Sequence, residues 1–206
     1  MNRTIAATLL LLAGCQASLP RWCAVGNSQE DAAALAGQHA AEALEARFGG
    51  VVADPAAEAR MGRVALPLCR ACGMSLATAQ FHVLDSTDLN ALSLPGPRIY
   101  ITRTLYERLD DDTLLAAVIA HELAHVCAHD HFKPRGGDAR DALQREIDAD
   151  AGAVQTLRAA GIAPDSMRSV LVVVQSALPP DWAQERMTAL DTACAPPART
   201  ASASDF

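Results

Sequence analysis

The sequence predicts an α+β domain that is mainly helical, with a small β component beside one buried helix. Three observations carry this. Long stretches rich in Ala, Leu, Glu, Gln and Arg begin near capping residues and stop at Gly or Pro. Only two short runs, residues 81–84 and 99–102, have the β-branched and aromatic content of strands. Aromatic residues make up only 4% of the chain, so the core must be built from Ala, Leu and Val, which suits closely packed helices.

Taken in order, residues 29–48 read as an amphipathic helix ended by Gly49 and Gly50. Residues 54–72 read as a second, with Pro55 near its start, where a missing N–H costs nothing. The strand at 81–84 follows, and the turn-like Leu94-Pro95-Gly96-Pro97 leads into the strand at 99–102. Residues 104–109 suit a short helix. Asp110, Asp111, Asp112 and Thr113 then mark the start of a helix over about 111–129, since acidic groups favour the positive end of the helix dipole. This helix is apolar almost all round and so belongs in the interior. A polar, glycine-containing loop spans 133–138. The next helix runs to about Ala160 and is stopped by Gly161 and Pro164, and another covers 164–178. The end of the chain, 195–206, has the Ala, Pro and Ser content of a disordered tail.

The buried helix carries His121-Glu122-Leu123-Ala124-His125, an HExxH string. Residues four apart lie on one helical face, so both imidazoles leave the same side of a rigid rod. Two nitrogens so held are half of a tetrahedral zinc site. Glu122, next to the first histidine, is placed to take a proton from a water activated there. The alternative, that both histidines are hydrogen-bonded core residues, leaves the buried acid between them unexplained, since unpaired buried polar groups cost about 1–3 kcal/mol each.

A catalytic zinc needs a third protein ligand. His131 stands at the tenth position after His121, which is the metzincin spacing HExxHxxGxxH. Ala128 replaces the glycine at which that pattern turns out of the helix, and alanine tolerates the turn's positive φ poorly. His129 and His131 therefore read as solvent-side or structural residues near a helix C-terminus. The other candidate is Glu146, in Arg145-Glu146-Ile147-Asp148-Ala149-Asp150. Glu146 and Asp150 share a face at a spacing of four. A second helix against the first would offer Glu146 to the metal, and Asp150 would accept an imidazole N–H and fix its tautomer. Read alone, the same segment is a solvated helix face.

HELAH followed by EIDAD resembles the gluzincin peptidases of the HtpX and CAAX prenyl protease group, whose pattern is HExxH…ExxxD. The run Asn90-Ala91-Leu92-Ser93-Leu94-Pro95-Gly96 with Ile99-Tyr100-Ile101-Thr102 is similar to that family's NAF-x-x-PGG-x-I-x-V-T segment. The resemblance covers roughly residues 61–190. It implies a zincin-like domain with a small sheet beside the HExxH helix, and one zinc ion held by His121, His125 and Glu146. Glu122 would be the catalytic base and Asp150 the supporting acid. The 99–102 strand would be an edge strand, able to pair with an extended substrate. Many soluble relatives carry His-Pro where this chain has Leu178-Pro179, so Leu178 takes the place of a histidine that approaches the metal. Arg186 matches the family's Glu-Arg near the C-terminus, where it would serve as a structural ion pair or as a stabiliser of developing negative charge. The implied activity is zinc-dependent hydrolysis of peptide bonds in unfolded or extended polypeptides. A zinc-binding, chaperone-like lipoprotein of the same fold is the alternative.

The first residues look like a processing segment. Arg3 gives a positive start, residues 5–12 are apolar but too short to span a bilayer, and Leu12-Ala13-Gly14-Cys15 resembles a bacterial lipobox. By that resemblance, residues 1–14 are a lipoprotein signal peptide, 15–28 a lipidated linker, 29–194 the metallopeptidase domain and 195–206 the tail. Lipid on Cys15 would tether the chain to a membrane. Gln16 in place of the Asp of inner-membrane retention favours the periplasmic face of the outer membrane. A net charge of −7 and a pI near 5.3 argue against a nucleic-acid partner. An oxidising compartment allows disulfides. Cys69 and Cys72 have the spacing of a local bridge, and pairing of either with Cys23 or Cys194 is equally allowed. Cys127 falls on the buried helix as a core thiol.

Overall fold

The computed structural model describes residues 27–128, 130 and 138–196. It is a mainly helical α+β fold with one four-stranded sheet. The processing segment, Cys15, Cys23, His129, His131, most of the 133–138 loop and the end of the tail lie outside the described residues.

The elements in order are α1 (Asn27–Arg47), β1 (Val51–Val52), α2 (Pro55–Cys72), β2 (Gln80–Leu84), β3 (Ala91–Leu94), β4 (Arg98–Thr102), α3 (Arg103–Arg108), α4 (Asp112–Cys127), α5 (Ala139–Ala159), α6 (Ser166–Val174) and α7 (Pro180–Cys194). Local chemistry sets their ends. Asp54 caps α2 by accepting from the amides of Ala56 and Ala57 at 3.1 and 2.9 Å. Gly73, at φ 72°, closes it in the left-handed conformation. Asp111 caps α4 by accepting from the amide of Thr113 at 2.7 Å. Arg60 of α2 holds the same end through Asp112 Oδ1 at 2.7 Å and the carbonyl of Asp110 at 3.1 Å.

The strand order is β1-β2-β4-β3. β2 and β4 are parallel, with Phe81 opposite Ile99 and Val83 opposite Ile101. β3 runs antiparallel to β4, joined to it by a turn in which Gly96 has φ 80°. This corrects one expectation: β4, which contains residues 99–102, is interior, and the edge strands are β1 and β3. After β2 the chain passes the place of β4, forms the outer strand, and returns by the Pro95-Gly96-Pro97 turn to fill the gap.

Side chains of β4 alternate between two layers. Ile99 and Ile101 point into the main core with Val83, Leu68, Ile119 and Leu123. Tyr100 points the other way, into a smaller cluster with Ala41, Phe48, Leu84 and Leu94. Here α1 covers the outer face, and Tyr100 donates to Glu45 Oε1 at 2.8 Å. Gly37 lets α1 come close, because a Cβ at this position would run into the Pro95 carbonyl oxygen. On the inner face, α4 is packed by α2, α5, α6 and the sheet. Its residues from Leu115 to Ala120 are all 4% exposed or less, as its apolar sequence requires. No described helix is long and apolar enough to cross a membrane.

Cys69 and Cys194 are free thiols, so the local Cys69–Cys72 bridge is not formed; the Cys72 thiol instead donates to the Cys69 carbonyl at 3.6 Å. Cys127 is buried on α4 with its Sγ 3.6 Å from Met74 Sδ.

Candidate metal centre

One cleft of about 700 Å³ opens beside the C-terminal half of α4. Its floor holds His121, Glu122, His125 and Glu146, one wall is β3 with the preceding residues 88–90, and the other comes from α6 and Leu178. Thr102, fully buried at the end of β4, fastens the first wall. Its hydroxyl lies 2.7 Å from the Asp88 carbonyl and 2.9 Å from that of Asn90, and it accepts from the Asn90 amide at 3.1 Å.

His121 and His125 leave α4 side by side with their rings edge to face, centroids 4.8 Å apart. Their Nε2 atoms are 3.1 Å apart. Packing of α5 against α4 brings Glu146 between them, Oε2 3.4 Å from His121 Nε2 and Oε1 3.5 Å from His125 Nε2. Among the described residues this is the group of ligand types that converges closely enough for a metal. The spacings fit a tetrahedral ion. With bonds of about 2.0–2.1 Å, a tetrahedron has edges of about 3.3–3.4 Å, close to the three distances here. His131, the rival third ligand, lies outside the described residues.

Glu122 is 6% exposed and lines the same cleft. Asp150, one turn beyond Glu146 on α5, brings Oδ1 to 2.9 Å from His121 Nδ1. That contact is close in distance but short of hydrogen-bond alignment. Both Asp150 oxygens are gripped by Arg186 of α7, from Nε and Nη2 at 2.8 Å each. Nη1 of Arg186 reaches Glu146 Oε2 at 3.1 Å. Arg186 is therefore part of a buried ion-pair network that ties α7 to α5 behind the site.

The electrostatics follow from this packing. Burial opposes the charged form of His121, but Asp150 and Glu146 outweigh it and push its pKa up to about 10. Burial likewise opposes ionisation of Glu146, and His121, His125 and Arg186 reverse it, holding the carboxyl down at about 2. Asp150 is shifted downward too, against burial, by His121 and Arg186.

One residue escaped the sequence reasoning. Asp130, just past the end of α4, places Oδ2 2.8 Å from His125 Nδ1 in hydrogen-bond geometry. The available signal was an acid set five positions beyond the second histidine, where a helix C-terminus makes an acid unfavourable.

No curated protein matches the chain. Residues 55–135 match the family model of peptidase family M48, whose members are typically zinc-dependent. The matched stretch contains the HExxH helix and the whole β3–β4 wall, and stops before Glu146, Asp150 and Arg186. Over that stretch the chain is similar to peptidase family M48, and the histidines of its HExxH helix belong to the group that could hold a metal.

Proposed function

We propose that this protein is a zinc-dependent metalloendopeptidase of the HExxH…ExxxD type, close to the HtpX and CAAX prenyl protease group. The observation that carries the reading is the convergence of His121, His125 and Glu146 at tetrahedral spacing, beside Glu122 and at the bottom of an open cleft. One zinc ion, held by those three side chains, would polarise a water and the scissile carbonyl. Glu122 takes the proton of the attacking water and passes it to the leaving amine. Asp150 lies against His121 from behind and is itself held by Arg186. Among the described residues no strand lies beyond β3, so its outer edge, which lines the cleft, suits pairing with an extended substrate better than with a folded one.

The lipobox-like sequence ending in Cys15 supports tethering to the periplasmic face of the outer membrane, and with it a role in quality control of envelope proteins. The test is cleavage of an unfolded protein such as casein by zinc-loaded wild type and Glu122→Gln. The variant should keep its zinc and lose turnover. Undiminished cleavage by Glu122→Gln contradicts the assignment.

A further inference from the structure

We infer that Asp130 is the positioning residue for His125, so that the two ligand histidines are held by unlike means. The inference rests on the reading of His121, His125 and Glu146 as the metal site. Asp130 Oδ2 lies 2.8 Å from His125 Nδ1, aligned as a hydrogen bond, with both side chains nearly buried at 11% and 13% exposure. A ring whose Nδ1–H is committed to a carboxylate has its lone pair on Nε2. That Nε2 is the atom facing His121 Nε2 and Glu146 Oε1. The bond to Asp130 therefore selects both the tautomer and the ring rotation that a metal needs.

Asp150 is not equivalent. Its contact with His121 is unaligned, and both of its oxygens are committed to Arg186. It also comes from another helix, so it reaches His121 only because α5 and α7 are docked. Asp130 comes from the turn that follows α4 itself and needs no long-range packing to meet His125. Its place argues the same way. An acid beyond the C-terminus of a helix faces the negative end of the dipole, and the bond to His125 Nδ1 gives that acid a use at the site. Loss of Asp150 should be felt by the fold, and loss of Asp130 by the metal.

The experiment uses the purified full chain, with zinc affinity read by competition against a chromophoric chelator and melting followed on the metal-free form. Asp130→Ala should bind zinc about 10- to 100-fold more weakly than wild type. Asp130→Asn, whose amide oxygen still accepts the Nδ1 proton, should fall between the two. Metal-free melting of both should stay within about 2–4 °C of wild type, whereas Asp150→Ala should lower it several times further. Wild-type zinc affinity in Asp130→Ala would overturn the inference. So would a weakened affinity accompanied by metal-free melting as low as that of Asp150→Ala, since that describes a structural residue. A wild type that takes up no zinc would overturn the metal reading itself, and this inference with it.

Discussion

Arg186 and Asp150 meet side by side, two parallel hydrogen bonds of 2.8 Å joining α7 to α5 with both side chains buried. This is the bidentate geometry in which a guanidinium and a carboxylate satisfy one another best. The pair lies directly behind the candidate metal site, because Asp150 also touches His121 and Arg186 also touches Glu146. Glu146 and Asp150 are thus both anchored by α7.

Breaking that pair from one side leaves the buried Asp150 carboxylate with only its unaligned contact to His121. Arg186→Leu is expected to destabilise the metal-free protein by about 3–5 kcal/mol, read from the denaturant midpoint. Stability unchanged within about 0.5 kcal/mol would mean that the contact with His121 is enough for Asp150 and that the pair with Arg186 does not hold the fold.

Glu146 and His121 make metal-free stability depend on pH in a defined window. A carboxylate held below its unfolded value stabilises the fold above that value and loses this as pH falls through the lowered one. For Glu146 the loss runs from about 4.5 down to about 2. His121 is raised, so its share is full below about 6.5 and lost as pH climbs to about 10. The stability difference between wild type and Glu146→Gln, measured without metal, should be largest near pH 4.5–6.5 and shrink on both sides. A difference that is flat from pH 2 to pH 10 contradicts the pairing.

Gly37 tests the docking of α1. Alanine is better than glycine in a helix interior by about 1 kcal/mol, so Gly37→Ala should stabilise if nothing opposes it. The Pro95 carbonyl does oppose it, and overpacking of this kind costs about 1–3 kcal/mol. A lowered denaturant midpoint is expected, and a raised one would show that α1 is not seated on the Pro95 turn.

Much of this was legible in the sequence because it depends on local periodicity. His121 and His125, and again Glu146 and Asp150, sit four apart, so each pair falls on one helical face wherever its helix packs. The starts of α2 and α4 were legible from local signals as well, Pro55 for the first and the acidic run Asp110-Asp111-Asp112 for the second. Strand order was not. Residues 91–94 are too short and too close to Asn90 and Pro95 to stand out, and the placing of β4 between β2 and β3 is a long-range pairing that the pattern of residues 99–102 does not encode. Asp130 was hidden for a different reason: its contact with His125 is local but lies beyond the last helical residue, Cys127, where helical spacing no longer says which way a side chain points. The grip of Arg186 on Asp150 required the packing of α7 on α5, which spacing alone cannot supply.

The most direct test of the central claim, that His121, His125 and Glu146 form the metal centre, is the zinc content of purified wild type, Glu146→Ala and His131→Ala under limiting free zinc. One zinc per chain is expected in wild type and in His131→Ala, and little or none in Glu146→Ala. Full zinc in Glu146→Ala together with its loss in His131→Ala would contradict the claim.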